Sequence, residues 1–120
     1  MINTKSEKPF DLQQRTFEFA KGAVSFCRAL GKAPVDRELA EQLLRSATSV
    51  GANYIEANEA LSKKDFMLRI KTCRKEAKEN AYWLKLVSTP SADMKRQRAS
   101  LLAESNELVK IFSAIIVKTE

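Results

Sequence analysis

There is no histidine anywhere in the 120 residues. That absence removes the commonest general base and the commonest metal ligand at once. Glycine and proline are scarce, with three of each. A β-rich chain of this length would need more turn residues, so the composition leans towards helix. The only cysteines, Cys27 and Cys73, are far apart and form no C-x-x-C pair, so they cannot build a zinc site by themselves. Each falls on the apolar side of an expected helix and reads as a reduced, buried thiol, a disulfide between them being the alternative. The greasiest stretch, Leu108 to Val117, is interrupted by Lys110 and is too short to span a bilayer. The polar start, Met1 to Pro9, has no signal-peptide core, so a cytoplasmic protein is expected. Gly-rich phosphate loops and nucleophile elbows are missing, and no serine or threonine has a histidine to activate it. These absences point away from catalysis, cofactors and bound metal.

What is present fits one domain with one core. Twenty-one Lys and Arg stand against fifteen Asp and Glu, a balance of +6. Such an excess suits nucleic acid or another acidic partner, although many helical proteins without one look the same.

Met1 to Pro9 is polar and aperiodic and reads as a flexible N-terminal arm. The first helix is expected from about Asp11 to Leu30, with Asp11 as N-cap and Gly31 as the C′ residue. It carries two apolar stripes. One is Leu12, Thr16, Phe19, Ala23, Phe26 and Leu30; the other is Phe10, Phe17, Ala20, Val24 and Cys27. The second stripe belongs either to a wide core face or to a neighbouring subunit. The second helix is expected from near Asp36 to about Ala60, with Leu39, Leu43, Ala47, Val50, Tyr54 and Ala57 inward. Beside that stripe runs a line of small and polar groups, Gln42, Ser46, Ser49, Asn53 and Glu56, which admits another helix closely or is a solvated flank. Ser62 with Asp65 resembles a capping box, and Leu61 with Phe66 a hydrophobic staple, so the chain should turn sharply there. The third helix spans about Lys63 to Val87, with Phe66, Ile70, Cys73, Ala77, Leu84 and Val87 inward. Pro90 ends the break before a fourth helix that starts near Asp93. Its stripe of Met94, Leu101, Leu108, Phe112 and Ile115 is widened by Leu102, Val109 and Ile116. Ser105, inside that stripe, is expected to bond its own helix backbone. Short links between four such helices give an all-α, antiparallel up-and-down four-helix bundle over residues 10–120.

Three stretches carry a resemblance. L-L-R-S-A-T-S-V-G-A-N-Y-I-E runs from Leu43 to Glu56, S-K-K-D-F from Ser62 to Phe66, and R-K-E-A-K-E-N-A-Y-W-L from Arg74 to Leu84. Together they are similar to the four-helix-bundle protein family encoded in intervening sequences of bacterial 23S rRNA genes, over nearly the whole chain. Where family members carry Gly after the motif Glu, Ala57 follows Glu56 here; alanine continues the helix, which displaces the expected corner towards Leu61. The resemblance implies an antiparallel bundle assembled as a ring-like homopentamer. It also implies a link to rRNA genes or, in a related group, a role as an accessory protein to retroelement reverse transcriptases.

Charge concentrates on the third helix. From Lys63 to Val87 there are eight basic and three acidic residues. Lys64, Lys71, Lys75, Lys78 and Lys85 fall within about a quarter-turn opposite the core stripe, with Tyr82 among them and Arg74 nearby. A basic stripe with an aromatic suits phosphate contact and base stacking; the plainer reading is a solubilising face. Asp65, Arg69, Glu76 and Trp83 occupy the flank. With Ser49 and Asn53 on the second helix they form a candidate oligomer interface, the alternative being packing within one subunit. Arg45, Glu56, Glu76 and Glu79 are candidates for a salt-bridge network between adjacent helices. A carboxylate metal site there would normally need histidine partners. The expectation is therefore a non-enzymatic, homo-oligomeric nucleic-acid-binding protein, with structured RNA as its ligand. A protein-interaction scaffold or accessory subunit is the alternative.

Overall fold

The computed structural model describes residues 11–120. The expected arm, Met1 to Pro9, and Phe10 of the second stripe lie outside the described residues. Four helices follow one another: α1 (Leu12–Arg28), α2 (Pro34–Asn58), α3 (Lys63–Leu86) and α4 (Ala92–Thr119). Each packs on the next and α1 returns to α4, giving the all-α, up-and-down antiparallel bundle. Among neighbouring helices, contact is densest between α2 and α3 and between α3 and α4, and thinnest between α1 and α4.

Capping sets the helix starts. Asp11 accepts a hydrogen bond from the Gln14 amide, Ser62 from that of Asp65, and Ser91 from that of Met94. Ser91 therefore starts α4 at Ala92, near Asp93 as expected. The second helix begins at Pro34, earlier than Asp36, because proline at the first position loses an amide that would have no partner and brings a helical φ. Two further expectations are overturned. Leu61 is 99% exposed, so no staple closes on Phe66, which packs instead against the core. Gly31 does not cap α1, whose C-cap is Ala29. A Cβ on Gly31 would lie 2.6 Å from a carboxylate oxygen of Asp36, the far end of a half-buried side chain that would have to turn aside.

The core is built from the periodic stripes. Phe19, Ala23 and Phe26 of α1 meet Leu43, Ala47 and Val50 of α2, Ile70, Cys73, Ala77 and Leu84 of α3, and Leu101, Leu108, Phe112 and Ile116 of α4. Each large side chain so buried contributes about 1.5–3 kcal/mol. The second stripe of α1 is left largely open: Phe17 is 56% exposed, and Ala20, Val24 and Cys27 are half-buried. α1 is held at a close crossing with α2, where a Cβ on Gly51 would sit 3.2 Å from Thr16 Oγ1. It is held to α4 by Arg15, whose Nε and Nη2 donate to Glu104 at 2.6 and 2.9 Å.

A polar node lies inside this apolar core. Asn80, fully buried on α3, donates from Nδ2 to the Leu43 carbonyl and to Ser46 Oγ, both on α2 and both at 3.0 Å. Its Oδ1 accepts from Ser105 Oγ of α4, also at 3.0 Å. Ser46 Oγ donates in turn to the Leu43 carbonyl. Ser105 thus bonds across the bundle and not to its own helix as expected, because the carbonyl-type oxygen of Asn80 faces it and would otherwise be buried without a donor.

Replacing Asn80 with alanine should lower the unfolding free energy by about 2–4 kcal/mol, the sum of lost bonds and a buried gap. Urea denaturation measures this. A loss below about 1 kcal/mol would show that the node is incidental to stability.

Candidate nucleic-acid interface

α3 presents opposite faces to the core and to solvent. Ile70, Cys73, Ala77, Asn80 and Leu84 point inward and are fully buried. Lys64, Lys71, Lys75, Lys78 and Lys85 are all exposed. With 1.5 Å of rise per residue they extend along a line of roughly 30 Å. Tyr82 stands among them, 59% exposed. Arg74 is half-buried at the edge towards α4, where its Nη1 donates to Ser113 Oγ at 3.4 Å.

The acidic residues of α3 lie on the other flank, towards α2. Arg45 of α2 reaches across to two of them, with Nη1 3.2 Å from Glu76 and Nη2 3.1 Å from Glu79. The network expected of Arg45, Glu76 and Glu79 is therefore formed, while Glu56 stays exposed outside it. Half-exposed pairs of this kind are worth at most about 1 kcal/mol. Their larger effect is spatial, since they direct both carboxylates towards α2; Glu76 is thereby kept from the lysine line, and Glu79 borders it one turn from Lys75. Among the described residues no three Cys, Asp or Glu side chains cluster where a metal ion could sit.

Ser49, Asn53, Asp65, Arg69, Glu76 and Trp83 run along the α2–α3 seam. Several are engaged within the chain: Arg69 Nη1 donates to Asn53 Oδ1 at 3.1 Å, Asn53 Nδ2 to the Ser49 carbonyl at 2.9 Å, and Glu76 is almost wholly buried beside Arg45. Asp65 and Trp83 are half-buried. Trp83 packs on the core with its Nε1 buried and without an acceptor, and its ring meets that of Tyr82 at 5.1 Å and 71°.

A second surface joins the second stripe of α1 to a stripe of α2 that does not stand out in the sequence. Between α1 and α2 runs a groove of about 500 Å³, lined by Phe17, Ala20, Thr48, Ala52 and Ile55 among others, with no charged residue. Ile55 is 48% exposed and Leu44 continues the line. The signal was the spacing Leu44, Thr48, Ala52, Ile55, an uncharged second stripe on α2 matching that of α1. No described helix is long and apolar enough to cross a membrane.

Comparison with known proteins agrees with this architecture. The family profile described as 23S rRNA-intervening sequence protein matches residues 8–114. A crystal structure of a protein with unknown function from the S23 ribosomal protein family of Bacteroides thetaiotaomicron is similar, at 31% sequence identity and a TM-score of 0.74. The match covers 87% of this chain and 96% of that one. No curated protein matches.

Both thiols sit where ionisation is opposed. Burial pushes Cys27 up to about 11 and Cys73 up to about 12, and each Sγ lies near a carbonyl of α2, Ala40 at 3.6 Å and Val50 at 3.4 Å. An unfolded thiol ionises near pH ~8.5. Above that pH the unfolded chain releases protons that the folded chain keeps, so stability is full below it and falls as pH rises towards 11 and 12. Urea midpoints should fall between pH 8.5 and 10.5, by roughly 1 kcal/mol per pH unit from Cys73, and the fall should flatten in Cys73→Ala. An identical slope in that variant would remove the thiol from the account.

Proposed function

Because this chain belongs to the 23S rRNA-intervening sequence protein family, we propose that it is a non-enzymatic, homo-oligomeric nucleic-acid-binding protein of the cytoplasm. It grips structured RNA through the outer face of α3. The observation that carries this reading is the sorting of charge on α3. Five exposed lysines share one face, while Glu76 and Glu79 on its α2 flank are drawn to Arg45. Lys64, Lys71, Lys75, Lys78 and Lys85 supply phosphate contacts, with Arg74 at the edge and Tyr82 between them. Such contacts release counterions, so affinity falls with salt. A convex helix face with no groove-reading motif follows backbone and shape more than base sequence.

Assembly multiplies weak sites. We assign the uncharged α1–α2 groove to a second copy of the chain, since its exposed Phe17 and Ile55 are costly to leave in water. A closed ring sets different surfaces of successive copies against each other, and five copies is the number the family resemblance implies. The same groove supports a second reading, in which α1 and α2 receive a protein partner and the chain serves as a scaffold or accessory subunit.

Reversing Lys71, Lys75 and Lys78 to glutamate should abolish sub-micromolar binding of labelled structured RNA in anisotropy titrations. It should also flatten the salt dependence by roughly three phosphate equivalents. Unchanged affinity would sink the assignment. The wild-type chain should exceed its 13.5 kDa protomer mass in light scattering at micromolar concentration. Phe17→Glu with Ile55→Glu should return it to that mass without loss of helix. A wild-type monomer would transfer the groove to the partner-protein reading.

A further inference from the structure

We propose that Tyr82 is a stacking platform for one unpaired base, so that the preferred ligand is RNA presenting an unpaired nucleotide rather than uninterrupted duplex. This rests on the nucleic-acid reading above and narrows it. Tyr82 is exposed at 59%, yet it is not free to lie down along the helix, because its ring is braced at 71° against Trp83. Trp83 is itself half-buried and packed on the core. Whichever ring presents its edge in that contact, at least one face of Tyr82 remains open to solvent. Leu86, 49% exposed one turn further on, extends the apolar shelf. Exposed Lys78 and Lys85 bracket the ring, about 6 Å before and 4.5 Å beyond it along the axis. The phosphates on either side of a stacked base therefore come within reach of one lysine each.

An intact duplex offers this arrangement little. Its bases have both faces covered by their neighbours, and a convex helix face touches only its backbone. An unstacked base gains the ring as well as the charges, and it does so whatever its identity, because every base has a π-face.

The test uses the full chain against two labelled RNAs of equal phosphate count, a hairpin with a purine-rich loop and a blunt duplex, at several salt concentrations. The wild-type protein should prefer the hairpin. Tyr82→Ala should lose roughly tenfold in hairpin affinity, leave duplex affinity unchanged and keep the salt slope, since no phosphate contact is removed. Tyr82→Phe should bind as wild type does. Equal loss on both RNAs would make Tyr82 structural and overturn the proposal. No loss on either, with the lysine reversals still abolishing binding, would overturn it while leaving the nucleic-acid reading in place. Failure of the wild-type protein to bind either RNA would end both. An acidic peptide bound as tightly as the hairpin, and weakened equally by Tyr82→Ala, would assign the shelf to protein and also overturn it.

Discussion

The side-chain amide of Asn80 is the point on which the register of three helices depends. It satisfies a carbonyl and a hydroxyl of α2 and a hydroxyl of α4 from one position on α3. Apolar packing alone tolerates small slides of one helix along another, since neighbouring Leu, Ala and Val positions are nearly interchangeable. A slide by a single residue would strand the buried amide, with a penalty no nearby contact offsets. Everything displayed on the outside of α3, the lysine line and the Tyr82–Trp83 pair included, inherits its placement from that node. α1 takes no part in it and depends on the Gly51 crossing and on Arg15 with Glu104.

Arg45 performs the corresponding task at the surface. By drawing Glu76 and Glu79 towards α2, it turns their carboxylates away from Lys64, Lys71, Lys78 and Lys85, while Glu79 stays one turn from Lys75. Like charges at three- and four-residue spacing repel, by a few tenths of a kcal/mol per pair on a solvated helix. The free protein carries that cost, which a polyanion bound as proposed would relieve. Internal order in the α2–α3 seam and unsatisfied charge on the outer face are two sides of one arrangement.

Much of this was legible in the residues. Four helices, their core stripes and the Ser62 cap follow from spacing and side-chain chemistry. The lysine line follows from the same helical period. What was missed required knowing which helix faces which. Asn80 and Ser105 sit on the core lines of their helices and Ser46 on the polar line beside that of α2, and nothing in any one helix reveals that the three converge. Leu61 was matched to Phe66 by sequence offset, but Phe66 finds better burial in the core, and the corner leaves Leu61 in water. Gly31 lies two residues beyond the C-cap Ala29, and a side chain there would ask only that the Asp36 carboxylate turn aside. The α1–α2 groove is half legible: the second stripe of α1 stands out by spacing, while its counterpart on α2, Leu44, Thr48, Ala52 and Ile55, is too mixed to do so.

The chain contains a single tryptophan, and it touches the ring of Tyr82. Its indole N–H is buried without an acceptor, so water reaching that nitrogen would change the polarity around the fluorophore. Emission from Trp83 would therefore respond to a ligand stacked on Tyr82, as proposed, and to loosening of the α2–α3 seam. The molecule has an optical probe built into the surface whose ligand is sought, and titrations can be followed without attaching a label to either component.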